Sequence, residues 1–459
     1  MRHDAKYLSP GFNLLLSLVL LFFFSNIGGQ TYAWTAHSEG KIQQVSENQC
    51  PFPTVPTGKF YKHKPSKPAI YQFDEIPLGN RSPLLIVHGL RAEYYPFFRW
   101  AKLVKHLNSN KEFAGKFKIY LARYNSLDLL DKTVPQMQEE IAQLYESAGK
   151  KQIYVLALSI GGNLVYESML KPETDSQIKL LMAMGSPFHG SPLFCSDWLQ
   201  YGIYKNLSFP WTRIDHSIAY RLYFRRNSAL LKDFRWDNCD GAIPNIGHFA
   251  SKLPFGPKGN LTPAASVNDR MVAINKRNFD KNKLITYSGY LLNPYQLPEA
   301  ARFIESTFLF PYSLVTTGLP AYLAREHAVL NMLNRVIGTV VTTEWTTKRA
   351  KTSFVYALND GITPVISSMF IADRNCTQEG LAREADLMKL KPLVDVHTAR
   401  IFRNIDHLTY ISGRRPGVLP FAMRDELNAD AGSREIFDWI LFDLDCVVAD
   451  DHVAQSSDT

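Results

Sequence analysis

Three runs of apolar residues constrain the fold of this chain most: Leu84-Leu85-Ile86-Val87, Ile153-Tyr154-Val155-Leu156 and Leu180-Leu181-Met182-Ala183-Met184. A strand with one wet face alternates polar and apolar residues. A run without alternation is buried on both faces, as in a parallel sheet covered by helices. Phe117 to Ala122 is a further strand candidate. Helical segments fall between these runs. Thr133 and Gln136 form a capping box, Pro135 sits in the first turn and Gly149 closes the helix. Val134, Met137, Ile141, Leu144 and Ala148 mark its apolar face. Strand, helix, strand, helix at this spacing predicts a mostly parallel, doubly wound α/β sheet.

The rhythm stops after Met184 and resumes near Phe354-Val355-Tyr356-Ala357. A last strand around Ile401-Phe402 and an amphipathic helix from Arg434 to Leu444 follow. The intervening stretch is aromatic and proline-rich, with segments such as Trp198 to Tyr204 and Phe303 to Leu323. We therefore divide the chain into an N-terminal extension (34–82), a sheet core (83–189 and 346–459) and a large, mainly helical cap inserted between them (190–345). A cap of that character suits an acyl-chain pocket or an interfacial lid, and its aromatics equally suit the cap's own core.

The apolar strand at 153–156 runs into Ala157-Leu158-Ser159-Ile160-Gly161-Gly162, then into a helical stretch, Asn163 to Leu170. A serine on a sharp strand-to-helix turn is a nucleophile elbow, and the turn demands small residues two before and two after it. Ala157 and Gly161 meet that demand. Acyl transfer also needs backbone N–H donors for the oxyanion. Ile160, next to the serine, supplies one candidate, and Leu90, in Val87-His88-Gly89-Leu90, the other. The acid and base should follow in chain order. Asp360, in Asn359-Asp360-Gly361-Ile362-Thr363-Pro364-Val365, follows the strand expected at 354–358. His407 follows the last strand in Asn404-Ile405-Asp406-His407-Leu408. His189, His327 and His397 (with Asp395) are rivals less well placed, and Asp406 should diverge from its neighbour His407.

Composition removes several other classes. Of 459 residues, 46% are hydrophobic and 20% charged, which excludes a disordered or low-complexity chain. The net charge of +8 comes from scattered residues, with no run of three basics and no nucleic-acid motif. It reads as a solvated basic surface, with attraction to an anionic membrane as the alternative. Arg2 and Lys6 precede an apolar run, Leu14 to Phe24, and Thr31-Tyr32-Ala33 ends the segment. That layout predicts a secretory signal peptide over residues 1–33 and an extracytoplasmic protein, an uncleaved anchor being the alternative. Five cysteines, at 50, 195, 239, 376 and 446, form no Cys-x-x-Cys or Cys/His cluster, so no zinc site is expected.

Together these motifs, with Gly185-Ser186-Pro187-Phe188-His189-Gly190-Ser191, resemble those of the α/β-hydrolase superfamily, and of secreted lipases within it. The one departure is Ala157, where the superfamily usually carries Gly. The resemblance implies a serine ester hydrolase cleaving acylglycerols or other lipid esters, with Ser159, Asp360 and His407 as triad, Leu90 and Ile160 as oxyanion hole and no cofactor. A transient contact with a lipid interface and no nucleic-acid partner go with it. Some relatives in the superfamily hold a structural calcium; Asp373 and Asp386 could serve here, though nothing in the sequence requires it. A phospholipase, thioesterase or acyltransferase would use the same triad, and an inactive binding protein would keep only the fold.

Overall fold

A computed structural model of the chain describes residues 52–54, 63–90, 92–94, 96–191, 233–234, 268–277, 281–291, 358–370, 398–403, 405–412 and 436–457. The described residues belong to one unit. Among the described residues seven strands form a single sheet: β1 (Ala69–Gln72), β2 (Ser82–Val87), β3 (Phe117–Arg123), β4 (Ile153–Leu158), β5 (Ile178–Met184), β6 (Leu284–Tyr290) and β7 (Thr398–Arg403). Their spatial order is β1-β3-β2-β4-β5-β6-β7. Only the β1–β3 pairing is antiparallel; the other five are parallel.

The helices are α1 (Pro96–Ser109), α2 (Lys111–Lys116), α3 (Leu130–Ser147), α4 (Ile160–Ser168), α5 (Pro172–Gln177), α6 (Asp269–Asn275), α7 (Val365–Ser368), α8 (Thr409–Ser412) and α9 (Ile436–Ser457). The sheet's unbroken apolar runs are explained by what covers each face. Leu85, Val87, Val155, Ala157, Leu181 and Ala183 pack in one cluster with Met137, Ile141 and Leu144 of α3 and Leu164 of α4. Leu84, Ile86, Tyr154, Leu156, Met182 and Met184 point the other way, against Trp100, Leu103 and Leu107 of α1 and Ile440 and Leu444 of α9. Neighbouring residues of one strand thus enter opposite cores, which is why these runs are apolar without alternation.

Several boundaries differ from the sequence-based expectations. Residues 190–345 are not all insertion, because β6 lies inside that interval and sits between β5 and β7 in the sheet. Its sequence, Leu-Ile-Thr-Tyr-Ser-Gly-Tyr, is buried at every position but mixes hydroxyls and glycine with apolar residues, so it lacks the unbroken run that marks its neighbours. The extension 34–82 likewise contributes β1, whose four residues are too short to carry a pattern. Helix α3 begins one turn earlier than the capping box implied. Thr133 is buried inside it, its hydroxyl donating to Leu129 O at 3.1 Å, and the Leu130 N–H is satisfied instead by Asp233 Oδ2 at 2.8 Å. Pro135 therefore lies within α3 rather than at its start. Helix α4 spans 160–168 rather than 163–170, and the last helix is described over Ile436–Ser457, beyond the expected end at Leu444. The strand expected at 354–357, the leader at 1–33 and the cap segments Trp198 to Tyr204 and Phe303 to Leu323 lie outside the described residues. Among the described residues, no helix is long and apolar enough to cross a membrane.

Candidate active site

The sheet's connections decide where a site can form. Strand β2 leads to β3 on one side, whereas its other neighbour β4 leads to β5 on the opposite side. At such a switch point the loops after the two strands diverge and leave a crevice at the carboxyl edge. His88-Gly89-Leu90 follows β2 there, and Ser159 follows β4.

Ser159 has φ 56° and ψ −132°, a conformation that costs a non-glycine residue roughly 1–3 kcal/mol. The turn holds because its surroundings admit no alternative. The Ser159 N–H donates to Met184 O (2.8 Å), and its own carbonyl accepts from the Gly162 N–H (2.9 Å). A Cβ at Gly161 would lie 2.5 Å from His88 O, and one at Gly89 would lie 2.9 Å from Ser159 Cβ. The start of α4 and the turn after β2 are therefore packed closely enough that neither glycine could carry a side chain. The Ile160 N–H occupies the first position of α4, where helix geometry provides no i−4 acceptor.

Sheet order, the antiparallel first strand and an elbow at the switch point define one architecture. The chain has the α/β-hydrolase fold. No protein-family model and no curated protein matches it. Among solved structures, it is similar to a Bacillus licheniformis lipase in its mature form, at 12% identity and a TM-score of 0.35, covering 76% of this chain and 95% of that one. EstA of Clostridium botulinum matches at 11% identity and a TM-score of 0.35, covering 72% and 83%. Phospholipase PlaB of Legionella pneumophila matches at 13% identity and a TM-score of 0.29, over 49% of this chain and 42% of that one. Likenesses this distant carry no argument; the fold rests on the sheet and the elbow.

The α/β-hydrolase sheet brings a histidine and a carboxylate to the same edge. His407 Nδ1 stands 2.8 Å from Asp360 Oδ2, with both side chains buried. A carboxylate only accepts, so Nδ1 carries the hydrogen, and in the neutral imidazole that leaves the lone pair on Nε2. That Nε2 is buried and has no hydrogen-bond partner. No hydrogen bond joins it to Ser159 Oγ in this structure. Such contacts are commonly long in unliganded enzymes and tighten when substrate binds. Asp360 is held from behind: its Oδ1 accepts from the N–H groups of Ile362 (2.9 Å) and Thr363 (2.7 Å). The His407 N–H donates to Asp360 O (2.9 Å), which ties the two loops together.

The strand expected just before Asp360 lies outside the described residues, and the contact that is described comes from β6. The Leu291 N–H, one residue past β6, donates to Asn359 O (2.9 Å), so β6 helps to position the loop that carries Asp360 from outside its own local sequence. Gly185, just after β5, has φ +56° and packs against the pair. A Cβ there would lie 2.9 Å from Asp360 Oδ2 and 3.0 Å from His407 Nδ1. Sequence reading picks out Gly185 as part of a motif but not as the residue that makes room for the pair.

The rivals separate cleanly where they are described. Asp406 turns away from the imidazole, its Oδ1 accepting from Leu408 N–H (3.1 Å), Thr409 N–H (3.0 Å) and Thr409 Oγ1 (2.8 Å), which caps α8. The buried His189 packs against Phe370 with ring centroids 6.0 Å apart. His88 is structural: its Nε2 accepts from the Tyr124 N–H (3.2 Å), its Nδ1 lies 2.8 Å from Gly89 O, and its ring stacks on Tyr124 at 4.3 Å. His327, His397 and Asp395 lie outside the described residues, as do Asp373 and Asp386. Among the described residues no His/Cys/Asp/Glu group could hold a metal ion.

Burial sets the phenols around the site well above their ordinary range. Tyr410 is pushed up first by burial and then by the negative charge of Asp360, and Tyr124 first by burial and then by Glu93. Both stay neutral as packing for the two loops. Behind the elbow, Arg270 of α6 forms a bidentate pair with Glu167 of α4 (2.9 and 2.7 Å) and reaches Asp131 of α3 (2.8 Å). Burial raises the Glu167 carboxyl against the opposing pull of Arg270.

Proposed function

We propose that this chain is a serine ester hydrolase that acts on lipid esters through an acyl-enzyme. The observation that carries it is the buried His407–Asp360 pair, with Nε2 unpartnered, at the sheet edge that also holds Ser159 on a strained elbow. In this mechanism His407 Nε2 takes the Ser159 proton as Oγ attacks the ester carbonyl. Asp360 stabilises the imidazolium, and the Leu90 and Ile160 N–H groups receive the oxyanion, where one donor is worth ~2.7–4 kcal/mol. The imidazolium then protonates the leaving alcohol, and water activated by the same base hydrolyses the acyl-enzyme. The preference for lipid esters rests on the apolar, aromatic sequence between β5 and the acid loop.

A fluorophosphonate probe tests the reading. Wild-type protein should be labelled and Ser159→Ala should not; an unlabelled wild type would remove the hydrolase proposal altogether. A chain-length series of nitrophenyl esters, with and without an emulsion, then tests the substrate class. Preference for short soluble esters with no gain at the interface would refute the lipid assignment.

A further inference from the structure

Two segments must be held in register for His407 to face Ser159: the loop that presents Asp360, and the segment that leaves β5 beside the elbow. Side-chain hydroxyls bridge them at three buried residues. Thr363 Oγ1 donates to Gly185 O (3.0 Å). Ser367 Oγ donates to Gly190 O (2.7 Å) and accepts from the His189 N–H (3.0 Å). Ser191 Oγ donates to Ile362 O. The residues they tie are far apart in sequence, and Ser191, Thr363 and Ser367 are all fully buried.

Thr363 differs from the other two in what else it holds. Its N–H is the closer of the two donors to Asp360 Oδ1 (2.7 Å), and its carbonyl accepts from the Asp360 N–H (3.2 Å). Its hydroxyl acceptor, Gly185, is the residue packed against both Asp360 Oδ2 and His407 Nδ1. A continuous path follows. The Ser159 N–H is bound to Met184 O, Gly185 comes next in the chain, Thr363 Oγ1 holds the Gly185 carbonyl, and the Thr363 N–H holds the carboxylate that orients His407. We infer that Thr363 is a positioning residue, whose hydroxyl sets the carboxylate of Asp360, and through it the imidazole, relative to the serine elbow. This rests on the proposed hydrolase reading.

Thr363→Val removes the hydroxyl while keeping the shape, and Thr363→Ser restores a donor. Ser367→Ala removes a neighbouring bridge that does not touch Asp360. Loss of one such bond should lower kcat of Thr363→Val about tenfold with little change in KM, since one hydrogen bond is worth about that factor. Fluorophosphonate labelling should slow in proportion. The low-field proton resonance of a carboxylate-bound imidazole N–H, visible without substrate, should weaken in Thr363→Val and return in Thr363→Ser. Ser367→Ala should lower only the unfolding midpoint. Wild-type kcat and an unchanged resonance in Thr363→Val, with wild type labelled normally, would overturn the positioning role and leave the hydrolase reading intact. Equal effects of Thr363→Val and Ser367→Ala on both readouts would overturn it too. So would failure of Thr363→Val and Thr363→Ala to fold while Thr363→Ser folds, because the hydroxyl would then serve stability. An unlabelled wild type would remove both proposals together.

Discussion

Gly185→Ala is the most discriminating single change, because two separable penalties meet at that position. The first is conformational: φ is +56°, where an alanine loses roughly 1–2 kcal/mol relative to glycine. The second is steric. The added methyl would lie 2.9 Å from Asp360 Oδ2, 2.9 Å from Tyr410 Cε2 and 3.0 Å from His407 Nδ1, so each neighbour must retreat by a few tenths of an ångström. Overpacking of that kind adds about 1–3 kcal/mol. Gly79 isolates the first penalty. It has φ +57° and nothing within 4 Å of the place a methyl would take, so Gly79→Ala should lose only the conformational part. Denaturant unfolding should therefore place Gly185→Ala about 1–3 kcal/mol below Gly79→Ala. Activity should separate them further. The methyl presses on both of the atoms that face each other at 2.8 Å, and misplacement approaching 1 Å at a reacting group can cost ~10²-fold. We expect kcat of Gly185→Ala to fall by a factor on that order while Gly79→Ala stays near wild type. Turnover and stability within twofold and 0.5 kcal/mol (about the scatter of a surface substitution) of Gly79→Ala would refute the placement of Gly185 against the pair.

Two further outcomes test the site and its support. Asp360→Asn should lower kcat by roughly 10⁴ with unchanged fluorophosphonate stoichiometry after long incubation, since the amide no longer selects the Nδ1–H tautomer; a loss below tenfold in steady-state kinetics would argue against Asp360 as the acid. Arg270→Met should destabilise the protein by about 3–5 kcal/mol near neutral pH, because it strands the buried Glu167 carboxylate. A carboxyl raised in the folded state holds its proton longer there than in the unfolded chain, so stability falls as pH rises through the unfolded value of about 4.3 toward the folded one. The deficit of Arg270→Met should thus shrink below about pH 4 in unfolding measurements, and a pH-independent deficit would contradict it.

Much of the sheet is legible in the chain because burial on both faces writes itself into adjacent residues. Leu84 to Val87 and Ile153 to Leu156 feed two different cores at alternate positions, so each had to be apolar throughout. The elbow is legible because Ser159 stands between a strand and a helix that are both read from neighbouring residues, although the clash that keeps Gly161 small comes from the distant carbonyls of Val87 and His88.

Tertiary structure alone decided the rest. Strand β6 is completely buried yet mixes Thr286, Ser288 and Gly289 into its run, and Gly289 is required by Ile405 and Tyr410, which arrive from more than a hundred residues away. Helix α3 begins where Asp233, not a local cap, accepts the Leu130 N–H. Asp360 could be named from its turn motif, but its position depends on Leu291 gripping Asn359, on Thr363 gripping Gly185 and on the backbone bond from His407. Local sequence determines which residues can make a strand, a turn or a nucleophile, because those demands act between neighbours. Which histidine meets which carboxylate is set by hydrogen bonds between segments distant in the chain, and only the folded sheet brings those segments together.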